Sequence, residues 1–258
     1  MQVHPITAAD DESLAIVDSF TCQRLDDVKQ LPQVLDHLAR QQAADPAHGY
    51  FCTLDDVSQC RYTSGHAGMD ERLDLDAGDV DFDDPGAVAE YETRRLHHVA
   101  ARLQAQALDW PALQGALELL PDEAKALIEI NQRPHRILDD SLYVQRVPLT
   151  GNDLLIAAMP NGYFHSDLDV FQNHAVIRRM AEHGYHLFGI GASTLGFVRD
   201  TPLRQAQALV ADVCSLYCIA ADESAVREAL RVHVETERWL LLGYTESFGE
   251  TALREDRA

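Results

Sequence analysis

The sequence predicts an α+β protein in which a helix-rich N-terminal portion precedes a mostly antiparallel sheet with helices packed on it. Three observations support this prediction. Apolar residues at helical spacing dominate residues 1–131, strands separated by turn residues recur in residues 135–258, and a Pro-containing segment at 131–136 lies between them. The 258 residues are 46% hydrophobic and 24% charged, which is the composition of a globular protein with a sizeable core.

The N-terminal portion begins with a predicted helix at residues 24–42, because apolar residues recur there every three to four positions. Pro32 within this range indicates a kink or a later start. Two short runs at 49–54 and 59–63 flank the turn-like residues 55–58, which predicts a short β-hairpin.

An acidic segment follows at residues 70–84, with eight acidic residues and one basic residue, and its composition predicts an exposed loop or edge segment. Asp84 and Pro85 then form a strong helix start, an N-cap acceptor followed by proline at the first helical position. This helix is expected to reach residue 108. Shorter helices are expected to begin near Pro111 and Pro121.

The C-terminal domain, residues 135–258, is predicted to follow the order ββαββααβ. Proline, glycine and asparagine between the first two strands indicate a hairpin, and Thr201 with Pro202 indicates a second cap-plus-proline helix start. The predicted elements are strands at 142–147 and 153–159, a helix at 168–182, strands at 185–190 and 194–199, helices at 202–218 and 222–235, and a strand at 239–242.

The net charge of the chain makes some classes of binding partner unfavourable. The formal net charge of −21 repels phosphate backbones and anionic lipid headgroups, so direct nucleic-acid binding and membrane binding are not expected. The same charge favours solubility and rapid capture of a basic protein, although it is also compatible with salt adaptation. Lys29 and Lys125 are the only lysines, a usage typical of a GC-rich bacterial genome. Five cysteines without a C-x-x-C pair, and no basic secretory leader, predict a cytoplasmic protein.

Within the acidic segment, aspartates alternate with apolar residues, which on an extended chain places the carboxylates on one face. We expect this face to contact a basic partner. A solvated loop and a cation site are the alternatives, but an EF-hand loop is not matched, because Gly78 falls where an acidic ligand belongs. The candidate partner-binding residues are Asp74, Asp76, Asp79, Asp81 and Asp83.

A second polar cluster supplies the residue types of a transition-metal site: His165, Asp167, Asp169 and His174. Its spacing matches no named motif. The structural alternative is that Asp167 or Asp169 caps the following helix and that His174 is a hydrogen-bonded core residue.

The glycine-rich string at 188–196 matches neither a dinucleotide fingerprint nor a nucleophile elbow, because Thr194 and Leu195 stand where glycine is required. A hairpin turn accounts for it.

Together these observations favour an acidic interaction protein, such as an inhibitor or immunity-type partner of a basic protein or toxin, with no cofactor. No kinase, P-loop, hydrolase, deaminase or zincin signature is present, which favours a non-enzymatic role. The alternatives are a metal-dependent, hydrolase-like enzyme that uses a divalent transition metal at residues 165–174, or a small-ligand-binding module with its ligand near Pro134.

Overall fold

The computed structural model describes residues 1–6, 20–246 and 248–249, and its fold is α+β. Seven strands form one mixed sheet in this part of the chain. They are β1 (Gln2–Pro5), β2 (Thr21–Asp26), β3 (Gly49–Thr53), β4 (Ser141–Val147), β5 (His186–Ile190), β6 (Thr194–Val198) and β7 (Trp239–Gly243).

Helices cover the sheet, and each buries an apolar stripe. The α-helices are α1 (Leu31–Ala44), α2 (Val57–Ala67), α3 (Pro85–Ala105), α4 (Pro121–Gln132), α5 (Val170–Glu182), α6 (Ala206–Leu216) and α7 (Ser224–Thr236). Short 3-10 helices lie at Trp110–Leu113, Pro134–Arg136 and Asn152–Ala158. No helix in the described residues is both long enough and apolar enough to cross a bilayer.

The strand order is β1-β2-β4-β3-β5-β6-β7, and every neighbouring pair is antiparallel except β3 with β5. This confirms the mostly antiparallel sheet. Because β4 lies between β2 and β3, strands from both sides of residues 131–136 alternate in the sheet. The boundary that the sequence suggests at 131–136 therefore does not separate two sheets.

The parallel pairing of β3 with β5 is short. It joins Cys52 to Gly189 and Thr53 to Ile190, at the carboxyl ends of the two strands. Nearer the amino end of β5, the side chain of Asn152 replaces a strand partner: its Oδ1 accepts from the Leu187 N–H at 2.7 Å, and its Nδ2 lies 3.4 Å from the Leu187 carbonyl oxygen. The sheet is thus split between the amino ends of β3 and β5, and the 3-10 helix Asn152–Ala158 packs beside the split.

Three sequence-based assignments are wrong. Residues 24–26 belong to β2, so α1 begins at Leu31, with Pro32 in its first turn, where proline is tolerated. The predicted strand at 59–63 lies within α2, so β3 has no hairpin partner there. The predicted strand at 153–159 is a 3-10 helix, so the second hairpin also does not form.

The other elements are confirmed with small shifts of their ends. The Asp84 side chain accepts from Gly86 N–H and caps α3, as the cap-plus-proline pattern predicts. The predicted β5–β6 hairpin, both late helices and the final strand are present, although α6 begins at Ala206, four residues later than Pro202 indicates. β3 and β6 are buried along their full length.

Candidate functional site

The acidic segment is an exposed loop between α2 and α3. Its five candidate aspartates, Asp74, Asp76, Asp79, Asp81 and Asp83, are all exposed to solvent and lie outside regular secondary structure. Two of them order their own backbone: Asp76 Oδ1 accepts from Gly78 N–H at 2.9 Å, and Asp81 Oδ1 accepts from Asp83 N–H at 3.0 Å. The carboxylates therefore project from local turns.

The amino end of the acidic segment is anchored to the fold. Leu73 is fully buried, and Arg72 forms ion pairs with Asp70 at 2.6 Å and with Asp169 at 2.8 Å. The Arg72 guanidinium also lies 4.2 Å from the centre of the Phe171 ring. At the other end, Asp84 caps α3. Both ends of the segment are thus held in place, which lowers the entropy that it loses on binding.

A row of aromatic rings lies on two elements that are connected to the amino end of this segment: α2, which directly precedes it, and the loop before α5, whose Asp169 pairs with Arg72. The row consists of Tyr62 and His66 on α2, and of Tyr163 and Phe164 on the loop before α5; successive ring centres are 4.2, 4.7 and 5.3 Å apart. Tyr62, Tyr163 and Phe164 keep 46–50% of their surface exposed, and Met69, which follows α2, keeps 75%. Exposed apolar patches of this kind are typical of binding surfaces.

The loop that carries Tyr163 and Phe164 is fixed by buried amides. Asn173 Nδ2 donates to Asn161 Oδ1 at 3.1 Å and to the Leu168 carbonyl at 2.9 Å. The Leu168 N–H donates to the Tyr244 carbonyl at 2.8 Å, which joins the loop to the chain just beyond β7. Hydrogen bonds to buried groups therefore fix the loop that carries two rings of the aromatic row.

The four candidate metal ligands lie in different environments. His165 is exposed, whereas His174 is buried on α5 with its Nε2 3.8 Å from Asp153 Oδ2. Asp169 caps α5 through a bond from Gln172 N–H and also pairs with Arg72, so both of its oxygens are engaged. Burial raises the pKa of the Asp167 carboxyl to about 6.

No three His, Cys, Asp or Glu side chains come together in a metal-binding arrangement within the residues described. Asp169 is instead explained by helix capping, the structural alternative that its position before an apolar helix suggests.

Sequence reasoning missed a buried polar cluster at the carboxyl ends of β3 and β5. The Asp55 side chain accepts from Ser193 N–H at 2.9 Å, from Ser193 Oγ at 2.7 Å and from Thr194 Oγ1. Burial raises the pKa of Asp55 above its ordinary value of 3.8, and these hydrogen bonds lower it in part. Gly191 is required here, because a Cβ at this position would lie 1.7 Å from Asp55 Oδ1.

Tyr244 closes the same cluster. Its hydroxyl lies 2.9 Å from the Gly191 carbonyl oxygen and 2.6 Å from that of Ala192, and burial raises its pKa well above 10. Asp55 and Tyr244 are each about 1% exposed and Ser193 is 5% exposed, so a substrate cannot reach these groups in this conformation. The cluster holds three chain segments together. The one sequence signal for it was the glycine-rich string at 188–196, which contains Ser193 and Thr194.

Comparison with known proteins finds no matching family model, no matching curated protein and no matching solved structure.

Proposed function

We propose that this protein binds a basic protein partner through the acidic segment and the adjoining aromatic row. The observation that supports this most is the exposure of three aromatic side chains, Tyr62, Tyr163 and Phe164, which His66 joins into one row. Helix α2 of this row leads directly into the acidic segment, whose five aspartates are exposed to solvent. Aromatic residues contribute most of the binding energy in many interfaces, whereas carboxylates steer a basic partner toward the surface.

The two parts of the surface have different roles. The acidic segment attracts the partner over a distance of about a Debye length, so it raises the association rate at low salt. The aromatic row then buries apolar surface and stacks on Arg or Lys side chains, which lowers the dissociation rate. An inhibitor or immunity-type role toward a basic protein or toxin uses both properties.

We further propose that the protein acts in the cytoplasm. None of the five cysteines, all of which lie in the described residues, forms a disulfide, and Cys52, Cys60 and Cys214 are buried. Cysteines that remain reduced in this number are typical of a reducing compartment.

The test compares the proteins that immobilised wild-type and variant chains retain from an extract of the native cells. The acidic variant is D74N/D76N/D79N/D81N/D83N. A matched control variant, D109N/E118Q/D140N/D222N/E223Q, removes the same number of negative charges from exposed positions elsewhere. Only the acidic variant alters the proposed binding surface. We therefore expect wild type and the control variant to retain a basic protein that the acidic variant does not retain. The retained protein should be released at high salt.

With the partner purified, Y163A/F164A should raise its dissociation rate about tenfold and leave its association rate nearly unchanged. The acidic variant should lower the association rate about tenfold at low salt. Equal retention of the same proteins by the acidic and control variants would contradict the proposal.

A further inference from the structure

A cavity of about 520 Å³ opens between α1 and the amino ends of β3 and β5. It shares no lining residue with the acidic segment or the aromatic row. Its volume lies within the range of small-molecule sites in proteins.

The cavity is a consequence of the split in the sheet. Because β3 and β5 pair only at their carboxyl ends, space remains between their amino ends, and Asn152 satisfies the Leu187 backbone there. Leu155 packs so close to Gly49 that a Cβ at Gly49 would lie 2.3 Å from its Cδ2. Asn152 and Gly49 are thus both positioned at the split by specific contacts.

The cavity walls are largely apolar, and a few lining side chains are polar. The apolar wall is formed by Leu35, Leu38, Leu155, Leu187, Phe188 and Val198. The titratable residues of the lining are Tyr50, whose hydroxyl donates to Asp45, together with His186, Asp200 and Arg238. This combination of an apolar surface with a few polar groups is typical of sites for small organic ligands.

The formal charges of Asp200 and Arg238 balance within the lining, but Arg238 also has a partner outside it. Arg238 forms an ion pair with Asp36 of α1, so its charge is already balanced. Asp200 forms no hydrogen bond or ion pair with any described residue, and it interacts electrostatically with His186. Burial lowers the pKa of His186, although the Asp200 carboxylate raises it in part, and a neutral ring can accept a hydrogen bond. Asp200, which is exposed to solvent at the cavity, is thus a lining carboxylate that no Arg or Lys of the described residues pairs with.

We propose that this cavity binds a small amine with an apolar body, whose ammonium group donates to the Asp200 carboxylate and to a ring nitrogen of His186. The apolar body lies against Leu35, Leu38 and Phe188. The net charge of −21 also favours a cation over an anion. This site does not depend on the partner-binding surface.

The test titrates the full chain with three probes of similar shape: phenethylamine, the neutral 2-phenylethanol and the anionic 3-phenylpropionate. Binding is followed by calorimetry and by amide chemical shifts. We expect phenethylamine to bind with a dissociation constant of about 1 mM or below, and the alcohol to bind about tenfold more weakly. The carboxylate probe should not bind.

Three variants locate the site. A39W fills the mouth of the cavity from an exposed position on α1 and should abolish binding of the amine. A44W places the same side chain at an exposed position of that helix outside the lining, so it should bind as wild type does. D200N should reduce the affinity for phenethylamine to that for the alcohol. The proposal is overturned if no probe binds saturably, if the three probes bind alike, or if A39W binds the amine as wild type does.

Discussion

At the residue scale, Asp55 links the end of β3 to the turn between β5 and β6. A buried carboxylate costs several kcal/mol unless its oxygens are satisfied, and here an N–H and two hydroxyls satisfy them. The local sequence around Asp55 resembles an ordinary surface turn. Its burial depends on Ser193 and Thr194, which are more than 130 positions away, so sequence periodicity carries no signal for it.

We expect D55A to lower the free energy of unfolding by about 3 kcal/mol or more, because Ser193 and Thr194 lose their acceptor inside the core. D55N should lower the free energy of unfolding less than D55A does, since the amide keeps one oxygen that can accept a hydrogen bond. Urea denaturation of both variants measures the difference. D140N, at an exposed position, serves as the control and should change stability by less than about 0.5 kcal/mol. A D55A variant as stable as D140N would show that the cluster does not hold these segments together.

Asp167 provides a prediction about pH. Burial, reinforced by the negative charge of Glu246, raises the pKa of its carboxyl from 3.8 to about 6, although the Phe164 backbone lowers it in part. The folded protein therefore binds this proton more tightly than the unfolded chain does. Its contribution to stability is complete below about pH 4 and is lost as the pH rises through about 6.

D167N should remove this contribution, which is on the order of 1 kcal/mol because the side chain is in part exposed to solvent. The measurement is the free energy of unfolding at several values between pH 4 and pH 7 for wild type and variant. The difference between the two should change most between pH 4 and pH 6. A constant difference across this range would show that Asp167 titrates as an ordinary carboxyl.

At the element scale, the start of α5 shows how a candidate ligand can be a helix cap. Asp169 and Gln172 form a reciprocal capping box, and Asp169 also pairs with Arg72. D169A and D169N both remove the charge, but asparagine retains an oxygen that can accept from Gln172 N–H. We expect D169A to be about 1 kcal/mol less stable than D169N in urea denaturation. If D169A and D169N lost the same free energy of unfolding, capping by Asp169 would contribute nothing to stability.

Elements with strong local signals were predictable. The Asp84–Pro85 start of α3 and the turn between β5 and β6 both follow from residue chemistry within a few positions. The secondary structure of short runs in which apolar and polar residues alternate was not predictable. Residues 59–63 alternate like a strand, but α2 buries Cys60, Thr63 and Ala67 at helical spacing, and Asp56 caps it through Gln59 N–H. Packing against the rest of the fold determines which pattern prevails.

At the scale of the whole molecule, the α+β class was predictable but the order of the strands in the sheet was not. Hairpin neighbours such as β5 and β6 are determined locally, whereas β4 pairs with β2 and β3, which lie about 90 residues or more before it. Such pairing has no signature in a single sequence. The exposed position of the acidic segment is confirmed, because eight acidic side chains in fifteen residues cannot be buried together. Its binding role stays a prediction.

The sheet order also predicts how the chain behaves when it is divided. A fragment of residues 134–258 contains β4 without β2 or β3, so β4 loses both of its hydrogen-bonded neighbours. A fragment of residues 1–133 contains β3 with neither β4 nor β5 beside it. Leaving the backbone groups of a buried strand unpaired is costly. We therefore expect each fragment alone to give the narrow amide dispersion of an unfolded chain in ¹H–¹⁵N spectra, whereas the full chain gives a dispersed spectrum. A fragment of residues 134–258 that unfolds cooperatively by itself would show that β5, β6 and β7 with their helices form an independent unit, and that the pairing of β4 adds little to it.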